Sequence, residues 1–151
     1  MNRKGLTLIE LLVVFVIIAF VATLMVPGFS KWLPRYHLRA ATREVASTLR
    51  DAQMKAVSTR LPYQVDFTVA TNSYILQYNS GGWKDEGPVQ TAPSGIIVNI
   101  AGLPGGKATF NADSTCSNGG NITLSYKKNG VTQAERGISI SAATGRIRIA
   151  E

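Results

Sequence analysis

Leu6 to Val26 is a predominantly apolar run of 21 residues, too long and too uniform to be a buried element of a small soluble domain, and the rest of the chain has to accommodate it. As a helix at ~1.5 Å per residue it is about 31 Å long, which matches a bilayer hydrocarbon core of about 30 Å. The run ends on Pro27-Gly28 and continues into an amphipathic pattern, without the small-residue cleavage site of a secretory signal. A retained single membrane span is therefore expected. Only about 120 residues remain, enough for one globular part.

Glu10 is the single charge between Lys4 and Lys31. A carboxylate at the centre of a membrane helix costs about 2.5 to 3.5 kcal/mol, so Glu10 needs either a shallow position or a partner. The residues before it suggest the partner. A basic stub, Arg3-Lys4, is followed by Gly5 and then by Leu6, with Glu10 at the fifth position of the apolar helix. Cutting after Gly5 creates an ammonium on Leu6, and in lipid that ammonium and a carboxylate are each costly alone and tolerable as a pair. Pairing between neighbouring chains would set the stagger of a helical assembly.

Residues 3–26 resemble the class III signal and N-terminal helix of type IV pilins and pseudopilins. Gly5 and Glu10 match that motif residue by residue, and Leu6 stands where the family usually has Phe. The resemblance implies a prepilin peptidase that cuts after Gly5 and N-methylates Leu6. It also implies single-pass storage in the bacterial inner membrane with the globular domain in the periplasm, and assembly with other pilin or pseudopilin subunits through Glu10.

Beyond the run, Pro27 and Pro34 each remove an intrahelical bond, so a kink or unwound stretch is expected between Val26 and Pro34. Leu38, Ala41, Val45, Leu49, Ala52 and Ala56 then recur at three- and four-residue steps, the spacing of a helix face that covers a sheet. Arg35, Arg39 and Arg43 form a second, basic stripe, and His37, the one histidine, lies beside it. After Leu61-Pro62 the period becomes two. Tyr63, Val65, Phe67 and Val69 alternate with polar neighbours and lead into a hairpin with "YILQYN", "SGGWKDEGPVQTAPSG" reads as a Gly/Pro-rich loop, and "IIVNI" and "ATF" read as strands. "ITLSYK", "GISIS" and "RIRIA" form two closing hairpins around "KNG" and "AATG". The expected fold is α+β and type IV pilin-like: a long N-terminal helix whose second half packs on an antiparallel β-sheet domain. Its expected divisions are a leader at 1–5, a membrane and assembly segment at 6–26, an amphipathic half-helix at 27–60 and a β domain at 61–151. One long helix followed by hairpins to the C-terminus resembles the GspH/FimT branch of the pseudopilins and minor pilins.

No nucleophile stands with a base, no Cys/His/carboxylate set has metal-ligand spacing, and no phosphate loop is present, so neither enzymatic activity nor a metal or other cofactor is expected. Cys116 is alone and reads as a buried spectator thiol. The net charge of +7 permits a polyanionic or anionic-lipid partner. "TGRIRIA" is the segment that can carry recognition, because Arg146 and Arg148 are two apart in a strand and project to one face, with Ile147 and Ile149 on the other. Gly145 permits a tight turn and the close approach of a backbone. A Gly-Arg-x-Arg motif near the C-terminus resembles that of FimT-type minor pilins, which implies DNA binding in natural transformation through Gly145, Arg146 and Arg148. Lys127, Lys128 and Arg136 are the further candidate phosphate contacts. The alternative is an H-type pseudopilin of a type II secretion system.

Overall fold

The computed structural model describes residues 7–128 and 130–150; for residues 24–31 it describes the backbone and not the side chains. Gly5 and Leu6, the expected processing site, lie outside the described residues. The chain divides into two compact units, Met1–Pro34 and Arg35–Glu151. One helix, α1 (Leu8–Thr59), contributes to both.

In the first unit, Leu8 through Val21 present large apolar side chains to the surroundings, with Leu8 85% and Phe20 67% exposed. Among the described residues no helix is long and apolar enough to cross a membrane, and the described side chains of the apolar run stop at Thr23. The helix start is built by Thr7 and Glu10. The Thr7 backbone N–H and hydroxyl both donate to the Glu10 carboxylate at 3.0 Å, and the Glu10 N–H donates back to the Thr7 hydroxyl at 3.3 Å. This is a capping box, which satisfies helix-end N–H groups that have no intrahelical acceptor. The expected unwound stretch between Val26 and Pro34 is not observed: the backbone is helical throughout Leu8–Thr59. Each proline deletes one rung, and the turns on either side keep theirs.

In the second unit, Leu38, Ala41, Val45, Leu49, Ala52 and Ala56 are all buried, as their spacing predicts, and Thr42 and Ala46 complete that face. Thr42 hides its hydroxyl by donating to the Leu38 carbonyl at 2.7 Å. The helix face shares one core with residues of two four-stranded antiparallel sheets. The strands are β1 (Tyr63–Thr68), β2 (Ser73–Asn79), β3 (Trp83–Thr91), β4 (Ile96–Ala101), β5 (Lys107–Phe110), β6 (Gly120–Lys128), β7 (Val131–Ile140) and β8 (Ile147–Ala150). The first sheet has the order β3-β2-β1-β5 and the second β4-β6-β7-β8.

β3 occupies the segment expected to be a loop. It is an edge strand, exposed along most of its length, and its pairing with β2 shifts register between Tyr74 and Leu76. An edge strand pairs on one side only, so Gly87 and Pro88 are tolerated there, and neither face needs the apolar alternation that would announce a strand. Lys55 of α1 ties it down through a 2.7 Å ion pair to Glu86. On the first sheet's other face a polar row runs across all four strands: Thr109 donates to Gln64 at 3.4 Å, Gln64 to Gln77 at 2.6 Å and Gln77 to Asp85 at 2.7 Å. That row explains how Gln64 can be buried without an unmet polar group.

Candidate functional site

The second sheet separates its two faces cleanly at the C-terminus. Ile138 and Ile140 of β7 are buried, and they pair with Ile149 and Ile147 of β8, which pack on the same core. The alternating residues therefore face outward, and Arg148 stands directly opposite Ser139. Arg146 precedes β8 with its carbonyl accepting from the Ser141 N–H at 3.0 Å, so the ladder extends one step into the turn. A cleft of about 380 Å³ opens there, lined by Ser139, Ile140, Ser141, Thr144, Arg146 and Arg148. Both arginines are exposed, and among the described residues the two ion pairs, Lys55–Glu86 and Lys107–Asp66, involve neither of them. Two guanidiniums and three hydroxyls, with no carboxylate in the lining, make a surface rich in donors and suited to anionic oxygens.

The turn that carries Arg146 is fixed from below. Gly145 is buried at φ +60°, and a Cβ there would collide with the Ser114 carbonyl oxygen and come within 2.5 Å of the Gln53 side-chain nitrogen. Its lack of a side chain thus serves contact with the protein's own loop, where the sequence suggested room for a ligand backbone. That loop, residues 111–117, is held by Asn111 N–H to Thr115 C=O at 2.9 Å, Ser114 N–H to Asn111 C=O at 3.0 Å, and the Asp113 carboxylate accepting from the Thr115 N–H at 3.0 Å and hydroxyl at 2.6 Å. These two bonds hold the Asp113 carboxyl below its ordinary pKa. The Cys116 N–H donates to Ala142 C=O at 2.9 Å, joining the loop to the β7–β8 turn. Burial pushes the Cys116 thiol up, which favours the protonated form, and the thiol donates to Asn118 C=O at 3.1 Å.

The remaining sequence candidates are not brought to the cleft. Arg136 is half-buried and opposite Leu124 in the register, on the strand face of Ile138 and Ile140 and so on the other side of the sheet from Arg148. Lys127 and Lys128 are exposed at the opposite end of β7, paired with Thr132 and Val131. From Thr132 to Ser139 the strand runs about 24 Å at ~3.4 Å per residue. His37 is exposed and meets the Tyr36 ring edge-on at 6.1 Å. Among the described residues no three His, Cys, Asp or Glu side chains gather as a metal site. The cleft adds Ser139, Ser141 and Thr144 to the sequence candidates, the first two legible from the alternation in "GISIS"; Gln53 and Ser114 carry no sequence signal for their role.

The prokaryotic N-terminal methylation motif matches residues 1–26. The fold is that of type IV pilin-like proteins: a long N-terminal helix packed on antiparallel sheet. Among solved structures the chain is similar to the minor pseudopilin EpsH from the type 2 secretion system of Vibrio cholerae. That match has a TM-score of 0.65 at 11% identity and covers 76% of this chain and 96% of EpsH. It is also similar to the type IV minor pilin FimU of Pseudomonas aeruginosa, with a TM-score of 0.56 at 21% identity, covering 76% of this chain and 93% of FimU. No curated protein matches. The expected type IV pilin-like resemblance thus holds in the N-terminal motif and in the fold.

Gly145→Ala is expected to lower stability by about 2–4 kcal/mol, the joint cost of a left-handed backbone for a residue with a Cβ and of overpacking against Ser114. Gly137→Ala is the control, since its Cβ would meet only the Ala150 Cβ at 3.5 Å. Urea unfolding midpoints check this; equal midpoints for the two variants would show that the Gly145 contact is not a constraint.

Proposed function

We propose that the protein is a minor subunit of a type IV pilus, stored in the inner membrane by its N-terminal helix, that contacts the phosphate backbone of DNA through the Arg146–Arg148 cleft. The motif over residues 1–26 supports peptidase processing at Gly5-Leu6 and assembly with other subunits. The cleft carries the DNA reading: two exposed guanidiniums, in no ion pair among the described residues, share one face with Ser139, Ser141 and Thr144, and no carboxylate is among the described lining residues. Its lining offers phosphate donors and no aromatic platform for base stacking, which favours backbone contact without sequence readout. Arg136, Lys127 and Lys128 lie elsewhere and add long-range attraction in this reading, not contacts in the cleft. The likeness to EpsH favours a second reading, a type II secretion pseudopilin whose C-terminal arginines meet a neighbouring subunit.

Arg146→Gln with Arg148→Gln is expected to weaken binding to a duplex of mixed sequence and to flatten the log-log salt slope by about two, one for each phosphate contact removed. Fold and unfolding midpoint should be kept, because both side chains are exposed. Salt-titrated anisotropy measures it, and binding unchanged by the double substitution would transfer the arginines to the secretion reading.

Glu10 has two roles that one substitution separates. Glutamine is also a capping-box residue, so Glu10→Gln retains a partner for Thr7 and removes only the charge. The expected outcome is membrane insertion as in the wild type and loss from sheared fibres, because a neighbour's ammonium loses its counter-charge. Wild-type amounts of the variant in fibres would reduce Glu10 to a helix cap.

A further inference from the structure

We propose that Gln53 of α1 is the positioning residue of the arginine cleft, acting through Ser114 to hold the β7–β8 turn and so to aim Arg146. The inference rests on the phosphate-contact reading of that cleft and adds the device that keeps it in shape.

The Gln53 side-chain nitrogen donates to both the carbonyl oxygen of Ser114, at 3.0 Å, and its hydroxyl, at 2.8 Å. One amide thus grips one residue twice across 61 positions of sequence. Ser114 needs that grip, because its φ of +70° is a left-handed conformation that a residue with a Cβ adopts at a cost. The Ser114 carbonyl is in turn the surface on which Gly145 is seated, with no space for a Cβ between them. Directly after Gly145 comes Arg146, whose N–H donates to the Thr144 hydroxyl at 3.3 Å and whose carbonyl receives the Ser141 N–H. The order of contacts is Gln53, Ser114, Gly145, Arg146.

The two arginines differ in their dependence on this chain of contacts. Arg148 lies inside β8 and is held by the ladder opposite Ser139. Arg146 lies just outside the strand, held by a single ladder bond from the Ser141 N–H and by the turn through Thr144 and Gly145. Loss of the Gln53 amide should therefore release Arg146 and leave Arg148 in place. A residue that merely stabilised the fold would affect both equally.

Gln53→Met tests this, since methionine keeps an unbranched helix-forming side chain of similar length and removes the donor. In the full-length chain in non-ionic detergent, salt-titrated binding of a mixed-sequence duplex should show a slope lowered by about one for Gln53→Met, equal to that of Arg146→Gln. The double variant Gln53→Met/Arg146→Gln should lose nothing more, whereas Gln53→Met/Arg148→Gln should lose about one further unit. Amide hydrogen exchange is read in parallel: Ser141 and Cys116 N–H, which bond Arg146 and Ala142, should exchange several-fold faster in Gln53→Met, with Ile138 and Leu124 unchanged. A wild-type slope for Gln53→Met, additive loss with Arg146→Gln, or exchange raised uniformly through the core would overturn the positioning role while leaving the cleft's reading intact. Wild-type protein that does not bind the duplex would overturn the phosphate reading instead, and the exchange pattern at Ser141 and Cys116 then decides whether Gln53 holds the turn.

Discussion

Leu38, Ala41, Val45, Ala46, Leu49, Ala52 and Ala56 pack into the core of the second unit with almost no exposure, and four of these seven side chains are alanine. Small residues let the helix backbone lie close to the strands, and the larger ones fill the layer between. Each fully buried leucine or valine contributes about 1.5–3 kcal/mol, so this face is the main tie between α1 and the sheets. It also fixes rotation. With Ala52 and Ala56 inward, Gln53 is turned to the flank of the interface, where its amide meets the loop at Ser114.

A polar surface is thereby built on an apolar constraint. The core holds Ile138, Ile140, Ile147 and Ile149 on one side of the second sheet, and the alternation of strands then obliges Ser139 and Arg148 to face outward. Gly145 converts the end of that strand pair into a turn seated on the Ser114 carbonyl, which brings Arg146 and Thr144 to the same cleft. Charge placement follows register, and the other candidate cations of the second sheet are separated from the cleft by the same logic. One residue of parity puts Arg136 on the opposite face, and the length of β7 puts Lys127 and Lys128 at its far end.

Periodicity made the helix face and most strands legible, because burial on one side writes itself into spacing. β3 was not legible, since an edge strand exposed on both faces leaves no alternation and its Gly and Pro imitate a loop. The two-residue spacing of Arg146 and Arg148 suggested a shared face, although Arg146 stands in the turn one residue before β8. The role of Gly145 was not legible, because a glycine's spelling says only that a side chain is absent and not which group occupies the space. Gln53 and Ser114 are joined across the chain by hydrogen bonds that no local pattern anticipates. Thr7 and Glu10 are the reverse case: the Thr-x-x-Glu spacing of a capping box stood in the sequence, beside the pairing to which Glu10 was assigned.

If the outward face of the β7–β8 hairpin is the proposed anion-contacting surface, amide chemical shifts report it residue by residue. Titrating the full-length chain in non-ionic detergent with a short mixed-sequence duplex should move Ser139, Ser141, Thr144, Arg146 and Arg148 most, and leave Arg136 and the core residues of β6 still. Largest shifts along the Arg35, Arg39 and Arg43 stripe, or at Lys127 and Lys128, with a silent cleft would contradict it.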